Sequence, residues 1–259
     1  MADFLATIVE QVKSQMEQRQ REVPAVALRE RPLFQTPTRG FAKSLEGNSR
    51  RIIAEIKRAS PSKGLIRTDC DPVAIAKEYV SHGASAISVL TEERFFQGSL
   101  LYLEQIRSAV NVPLLRKDFI VDPYQLIEAR SYGADAVLFI AALLDPSLLQ
   151  ELREQATALS LDSLVEVHTE MELNTAVKAG AQLVGINNRD LVTFEVNLAT
   201  TETLAPRVPV GMPAVCESGI DNVEQIRRVE TLGIHLFLIG ESLMRAIHPG
   251  KKLRELLER

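Results

Sequence analysis

Several acidic and basic side chains stand at the ends of short apolar runs, where a strand would leave a sheet. Glu55 and Lys57 are two residues apart, so both side chains would point to the same side of one strand. Lys117 and Glu166 hold similar positions in two later runs. Acids and lysines at close quarters perturb each other's pKa values, and a lysine held among charges can have its pKa lowered toward the working pH. These residue types therefore predict general acid–base chemistry.

Polar residues also end further runs. Asn187 and Arg189 follow one of them, and Glu217 follows the next. A single charged residue at such a position is about as often a side chain that leaves the core for solvent. Five strand ends that all carry such residues are harder to explain in this way. If those ends converge, the side chains form one site.

Two glycine-containing turns carry a second signal. Glu217-Ser218-Gly219 and Ile239-Gly240-Glu241 both join a strand end to a helix start. Glycine lets a ligand approach the backbone, and free N–H groups at a helix N-terminus bind anions such as phosphate. Ser60 and Ser62, close to Lys57, would add hydroxyl donors. The alternative is that both segments are ordinary turns without a ligand.

The elements that must position these groups alternate from residue 51 onward. Short, apolar, β-branched runs predict eight strands, and proline, Asp, Ser or Thr near the start of the intervening segments predicts helices. The predicted strands are 51–56, 86–90, 112–115, 136–140, 163–167, 183–186, 214–216 and 235–239. The predicted helices start near Pro72, Ser99, Asp122, Pro146, Thr169, Asn197, Asp221 and Pro249.

A weak internal repeat supports this count, because Gly83, Gly133, Gly180 and Gly233 precede every second strand. Strands too apolar for a one-sided sheet predict a parallel sheet covered by helices. Eight such strands close a (β/α)8 TIM barrel, in which chemistry lies at the C-terminal strand ends. An open doubly wound sheet is the rival architecture, but no glycine-rich dinucleotide fingerprint follows the first strand.

The first 48 residues stand outside the eight units. Apolar residues at helical spacing predict an amphipathic helix, and a stretch with prolines and Gly40 follows it. The members of the apolar face are Leu5, Ile8, Val9, Val12 and Met16. We therefore predict one barrel domain spanning residues 1–259, of which 1–48 is a helical extension docked on the barrel.

Composition excludes several classes of protein. With 46% apolar and 25% charged residues, the 259-residue chain is typical of a globular protein rather than a disordered or collagen-like one. Its apolar runs are too short to span a membrane, and a net charge of −4 offers no basic field for nucleic acid. Two cysteines make no disulfide framework, and no Cys/His spacing predicts a metal site. The acidic start predicts a cytoplasmic protein.

Other candidates are weaker. Asp118 would either orient Lys117 or cap the following turn. Phe95 and Phe96 would either pack a loop or form an apolar wall for a ligand ring. None of the four histidines pairs with a Ser or Cys in a recognisable way, so none is predicted to be catalytic.

At these same residues the chain resembles a known family. Residues 54–64, Ala-Glu-Ile-Lys-Arg-Ala-Ser-Pro-Ser-Lys-Gly, resemble the first-strand signature of indole-3-glycerol phosphate synthase. The resemblance continues through 90–99, 115–120, 164–167, 185–191, 217–220 and 238–240, and so covers nearly the whole chain. The first three motifs are specific. Related barrels such as phosphoribosylanthranilate isomerase share only the general phosphate site.

The resemblance implies ring closure, decarboxylation and dehydration of a phosphorylated, anthranilate-derived substrate in tryptophan biosynthesis, with no metal and no organic cofactor. It implies that Lys117 is the general acid for the ketone oxygen and Glu166 its proton-transfer partner, whereas Lys57 binds the anionic substrate. Whether Glu166 or Lys57 is the acid of dehydration stays open. Orienting roles fall to Glu55, Asn187 and Glu217, and substrate contacts to Ser60, Phe96, Phe119, Arg189, Ser218, Gly219, Gly240 and Glu241.

The resemblance also implies that the extension covers the barrel mouth, so deleting residues 1–48 is expected to weaken substrate binding more than folding. A monomer is expected, open to association with other enzymes of tryptophan biosynthesis. Glu241 departs from the family, which often has serine there, and we expect its side chain to point away from the phosphate into solvent. The competing hypotheses are a sugar-phosphate isomerase, which needs no aromatic wall, and a non-enzymatic barrel that serves as a partner surface.

Overall fold

Eight parallel strands close into a barrel in the computed structural model, which describes the backbone of residues 2–258 and the side chains of residues 5–258. Around the barrel the order is β1-β8-β7-β6-β5-β4-β3-β2, and β1 pairs with both β8 and β2. The strands are β1 Arg51–Ile56, β2 Ala86–Leu90, β3 Leu114–Lys117, β4 Ala136–Ile140, β5 Asp162–Val167, β6 Val184–Asn187, β7 Ala214–Glu217 and β8 Leu236–Ile239. The predicted TIM barrel is confirmed, and its closure excludes the doubly wound sheet.

Helices cover the outside of the barrel. They are α1 Ala2–Glu22, α2 Ala25–Arg29, α3 Pro32–Gln35, α4 Phe41–Ser44, α5 Pro72–Ser81, α6 Leu100–Ala109, α7 Pro123–Ser131, α8 Pro146–Ala158, α9 Glu170–Lys178, α10 Ala199–Leu204, α11 Val223–Glu230, α12 Glu241–Arg245 and α13 Pro249–Leu257. Side-chain caps explain several starts. Asp71 and Asp145, for example, each accept two backbone N–H groups ahead of a first-turn proline. Within the described residues, no helix has the length and apolarity needed to cross a membrane.

Three strands extend past their predicted C-terminal ends, and the last residue of each is a candidate site residue. Lys117 ends β3, Asn187 ends β6 and Glu217 ends β7, because each is paired in register with a neighbouring strand. Asn187 lies opposite Glu217, and Lys117 lies opposite Leu90. Ladder pairing therefore fixes the backbone beneath the functional side chains, which a loop would not do. A short hairpin of Ala59–Ser60 and Gly64–Leu65 follows β1 and was not predicted.

The N-terminal segment contacts three parts of the barrel. In α1, Ile8 and Val12 are buried, and Arg19 makes a two-pronged ion pair with Glu128 of α7. The next helices, α2 and α3, lie against α7, where Ser131 donates to the Leu28 carbonyl. The segment thus begins beside the mouth and runs down the outside of the barrel.

The last part of the segment lies at the N-terminal ends of the strands. The backbone N–H of Arg39 donates to Asp135, and that of Ala42 donates to Asp162, the first residue of β5. Phe41 is fully buried in the same apolar cluster as the barrel residue Ile53. Removing all of residues 1–48 would therefore expose the barrel floor, which changes the expectation that such a deletion acts mainly on substrate binding.

Candidate active site

A cavity of about 440 Å³ opens at the C-terminal ends of the barrel strands. This is within the size range of small-molecule sites. All of the predicted site residues line it: Glu55, Lys57, Ser60, Phe96, Lys117, Phe119, Glu166, Asn187, Arg189, Glu217, Ser218, Gly219, Gly240 and Glu241. Leu5 and Ile8 of α1 also line it. The barrel thus brings together side chains that lie up to 186 residues apart, Glu55 and Glu241 being the outermost.

Lys117 is at the centre of this cavity and faces carboxylates. Its Nζ lies 3.0 Å from Oε2 of Glu166 and 3.7 Å from Oε2 of Glu217. Lys57 lies at the end of β1, where its Nζ donates to Oε1 of Glu55 at 2.5 Å. Asn187 supports the first pair, because its Nδ2 donates to Oε1 of Glu166 at 2.9 Å.

The carboxylates decide the protonation state of Lys117. Burial by itself would lower the pKa of Lys117, but Glu166, Glu217 and Glu55 outweigh burial and raise it above its ordinary value. The expectation that neighbouring charges lower this pKa is therefore wrong. Lys117 stays protonated at neutral pH, so the proton that an acid must give is in place.

The two glutamates beside Lys117 differ in charge. Burial favours the neutral form of both, but Lys117, His168 and Asn187 overcome it at Glu166 and hold its pKa well below the ordinary value. Burial and the nearby Glu166 charge instead raise the pKa of Glu217 to about 8. Among the described residues, neither carboxyl oxygen of Glu217 has a hydrogen-bond partner. Glu166 is thus the carboxyl group of this pair that keeps its charge, and Glu217 is the one that takes up a proton more readily.

Two glycines make room for these buried acids. A Cβ on Gly185 of β6 would lie 1.9 Å from Oε1 of Glu217, and a Cβ on Gly240 would lie 2.1 Å from Oε1 of Glu55. Any side chain there would displace a carboxyl group. Gly240 was predicted from its turn as an anion-binding position, and its packing against Glu55 is an additional constraint. Gly185 was missed, although a glycine inside an apolar strand signals such a close approach.

An aromatic wall closes one side of the cavity. The rings of Phe96 and Phe119 lie 6.1 Å apart at 45°. Buried Glu92 holds the Phe96 loop in place by accepting the backbone N–H groups of Arg94, Phe95 and Phe96. Asp118, beside Lys117, accepts from Thr91, Arg116 and the Phe119 N–H. Of the two interpretations of Asp118, the turn cap is therefore the one that the structure supports.

The opposite side of the cavity combines backbone turns with an arginine. Ser218 and Gly219 both have positive φ, at 62° and 82°, which turns successive N–H groups after β7. Nη1 of Arg189 donates to the Ser62 hydroxyl at 3.2 Å and to the Phe194 carbonyl at 3.1 Å. Arg189 thus ties the loop after β6 to the loop after β1.

Glu241 does not point into solvent, so that expectation is wrong. Its side chain is 25% exposed and lies among three cations. Oε2 accepts from Nη2 of Arg189 at 3.2 Å, and Oε1 lies 3.1 Å from Nε of Arg245 and 3.9 Å from Nζ of Lys63. The positive side chains around the cavity rim attract the carboxylate inward.

Sequence reasoning set His168 aside, but the structure places it directly behind Glu166. Nε2 of His168 lies 3.3 Å from Oε1 of Glu166. Glu166 and His168 are two residues apart, the same spacing that pairs Glu55 with Lys57. This spacing places both side chains on one side of the strand, so it could have found the contact. Within residues 5–258, no group of three or more His, Cys, Asp or Glu side chains is arranged to hold a metal ion.

Comparison with known proteins agrees with the geometry. The sequence profile of the family described as indole-3-glycerol phosphate synthase matches residues 5–256. Proteins of that name from Dehalococcoides mccartyi strain CBDB1 and Chromobacterium violaceum are 48% and 45% identical to the chain. The first alignment covers 98% of this chain and 100% of the relative, and the second covers 99% and 98%.

Solved structures support the fold alone, because their identities are low. A 3-hexulose-6-phosphate synthase from Salmonella typhimurium superimposes with a TM-score of 0.64 at 12% identity, over 80% of this chain and 96% of that one. A thiamine phosphate pyrophosphorylase from Pyrococcus furiosus gives 0.61 at 19% identity, over 81% and 94%. The family profile and the full-length relatives carry the assignment: this chain belongs to the indole-3-glycerol phosphate synthase family.

Proposed function

We propose that the mouth cavity carries out the reaction of this family, a carboxy-lyase reaction of tryptophan biosynthesis. The substrate, 1-(2-carboxyphenylamino)-1-deoxyribulose 5-phosphate, closes its ring onto its ketone and then loses CO2 and water to give indole-3-glycerol phosphate. One observation carries the proposal. Lys117, protonated and central, lies 3.0 Å from Glu166 and 3.7 Å from Glu217 in a cavity with an aromatic wall.

Lys117 is the proposed acid of ring closure. As the aromatic carbon attacks the ketone, charge builds on its oxygen, and a protonated lysine at that point stabilises and then protonates it. The attacking ring carbon carries the carboxylate and regains aromaticity by losing CO2, so no proton leaves the ring at closure. Glu166 is ionised and therefore suited to accept the proton that the methylene carbon beside the ring nitrogen gives up during dehydration. Its charge also makes it the weaker candidate for the acid of dehydration. We assign that step to Lys57, with Glu55 as its hydrogen-bond partner.

The substrate's aromatic ring and its phosphate would bind at opposite ends of the cavity. Phe96 and Phe119 would pack against the anthranilate ring and strip water from its carboxylate, which favours loss of CO2. Ser60, Ser218, Gly219 and Gly240 would bind the phosphate through hydroxyl and N–H groups, with Arg189 and Glu241 at the rim. Asn187 and Glu217 would orient the substrate hydroxyls. Leu5 and Ile8 line the same cavity, which supports a covering role for the first part of the extension.

We further infer a monomeric, cytoplasmic enzyme. All the proposed site residues come from one chain, so the reaction does not require a second copy or another enzyme of the pathway. The phosphorylated substrate is a product of intracellular metabolism, which supports the location.

The test is turnover of the purified protein with this substrate. The chain contains no tryptophan, so emission at indole wavelengths, excited beyond tyrosine absorption and read apart from the longer-wavelength emission of the anthranilate group, reports the product. We expect this signal to grow in step with released CO2. An isomerised sugar phosphate formed without CO2 would instead support the isomerase hypothesis, and no conversion at all would support the partner-surface hypothesis.

A further inference from the structure

A partly buried histidine bridges two carboxylates just outside the cavity. His168 follows β5, has a 13% exposed side chain and is not among the residues that line the cavity. Its Nε2 lies 3.3 Å from Oε1 of Glu166, and its Nδ1 lies 3.2 Å from Oε2 of Glu172 in the first turn of α9. The ring therefore connects the proposed proton-transfer carboxylate to the start of a helix.

Glu172 gives this bridge a fixed anchor. Its Oε2 accepts the backbone N–H of His168 at 2.8 Å, and its Oε1 accepts the Thr169 hydroxyl at 3.1 Å. The same hydroxyl accepts the Glu172 N–H and so caps α9. A carboxylate held in this way at a helix N-terminus is also favoured by the helix dipole. Glu172 therefore holds the histidine ring in one orientation.

The two oxygens of Glu166 face different partners. Oε1 contacts Nε2 of His168 and accepts from Nδ2 of Asn187, whereas Oε2 faces Nζ of Lys117 at 3.0 Å. Asn187 thus holds Oε1 by a hydrogen bond and His168 holds it by a charge contact, which leaves Oε2 for the cavity.

Carboxyl groups on four elements face His168. They are Glu166 of β5, Glu172 of α9, Asp190 in the loop after β6 and Glu217 of β7. Lys117 lies on the far side of Glu166. Burial by itself lowers the pKa of His168, but Glu166 and Glu172 outweigh it and raise it to about 10. The ring is therefore a cation at neutral pH.

We propose that His168 is a positioning residue: anchored by Glu172, its imidazolium orients the Glu166 carboxylate toward Lys117 and keeps it ionised for proton transfer. The inference rests on the role proposed above for Glu166. The ring contributes no atom to the reaction and acts only through this carboxylate.

His168→Gln tests the proposal, because glutamine keeps a donor but removes the cation. We expect kcat to fall roughly 10- to 100-fold, the scale of a small misplacement of a reacting group, with KM within about threefold. Loss of an opposite charge raises the pKa of Glu166, so the acid limb of the kcat profile should move up by about one pH unit or more. Glu172→Gln should move both quantities in the same direction by less, and the two effects should not add in the double variant.

His235→Gln is the matched control. His235 precedes β8 at the other end of the barrel, with its Nδ1 3.8 Å from Oε1 of Glu230, and its substitution should leave kcat and the acid limb unchanged. A folded His168→Gln enzyme with wild-type kcat and acid limb would overturn the proposal. So would a change confined to the melting temperature.

Glu166→Gln separates this inference from the role on which it rests. If Glu166→Gln is inactive while His168→Gln behaves as wild type, only the positioning role fails. If Glu166→Gln turns over normally, the role of Glu166 fails and the positioning role fails with it.

Discussion

The two ends of the barrel treat a buried carboxyl group in opposite ways. Asp135, at the N-terminal end, is 2% exposed and accepts from Arg107 Nη1 at 2.6 Å, from the Leu114 N–H at 2.7 Å and from the Arg39 N–H at 2.8 Å. Glu217, at the C-terminal end, is 1% exposed, and its oxygens have no hydrogen-bond partner within the described chain. One end satisfies its acid with the protein's own donors, and the other does not.

This difference distinguishes a carboxyl group that holds the fold together from one that is kept for a ligand. An unsatisfied buried polar group costs stability, so a fold keeps one only where something other than stability requires it. Burial and Glu166 raise the pKa of Glu217 to about 8, so the uptake of a proton lessens that cost. Its free oxygens are left for a ligand that enters the mouth. Asp135 has no free position and serves to hold β3, α6 and the N-terminal segment together.

The largest effect is expected for substitutions of the lysines in the cavity at the barrel mouth. Lys117→Ala should lower kcat by roughly 10²- to 10⁴-fold, the usual contribution of a general acid, while the substrate still binds. Lys57→Ala, which removes a second lysine of the mouth, should raise KM as well, because Lys57 is proposed to bind the anionic substrate. Steady-state kinetics together with a binding titration measure both quantities. A loss in kcat below about tenfold would make Lys117 a binding residue at most.

A matched pair of carboxyl-to-amide changes tests the comparison directly. Asp135→Asn leaves Arg107 unpaired in the interior and should destabilise the protein by about 3–5 kcal/mol, with kcat of the folded enzyme within twofold. Glu217→Gln should leave the melting temperature unchanged or higher, because the amide cannot ionise and so avoids a buried charge without hydrogen-bond partners, and it should lower kcat at least tenfold. Thermal melts and kinetics on both variants decide the outcome. The reverse pattern would mean that burial alone, rather than hydrogen-bond satisfaction, distinguishes the two ends.

Sequence patterns predicted the architecture better than the contacts within the site. The alternation of apolar runs and capped helices located all eight strands, because each signal is local. His168 was not assigned because it pairs with no Ser or Cys, although it lies only two residues from Glu166. Gly185 was not assigned because its significance lies in a contact with Glu217 that only the pairing of neighbouring strands creates. The expected direction of the Lys117 pKa shift was wrong for a similar reason, because it depends on neighbours that only the fold brings together. The sequence supplies charges of both signs, and the fold selects three carboxylates as its neighbours.

Two buried residues of the N-terminal segment extend the comparison, because one lies at each end of the barrel. Phe41, at the floor, is 0% exposed, and Ile8, at the mouth, is 1% exposed. Phe41→Ala should cost about 3–5 kcal/mol and leave KM unchanged, because its ring contacts no cavity. Ile8→Ala should cost about 2–5 kcal/mol and also raise KM, because its side chain lines the cavity. An Ile8→Ala enzyme with normal KM would remove the support for a covering role of α1.

The smallest expected effect lies at the rim, where charges are satisfied but only partly buried. Glu241 pairs with Arg189, Lys63 and Arg245, whose side chains are 20%, 45% and 54% exposed. Pairs of this kind contribute about 0–1 kcal/mol, which corresponds to at most about a fivefold change in an equilibrium constant. Glu241→Gln frees Arg189 and Lys63 to bind the anionic substrate, so KM should fall by about two- to fivefold at low salt. The gain should shrink as ionic strength shortens the screening length from about 10 Å at 0.1 M to about 3 Å at 1 M.

Glu255→Gln is the control, because it removes the same charge from an exposed pair with Lys252 and should leave KM unchanged. A rise in KM for Glu241→Gln would show that the carboxylate holds Arg189 in place for the substrate instead of competing with it.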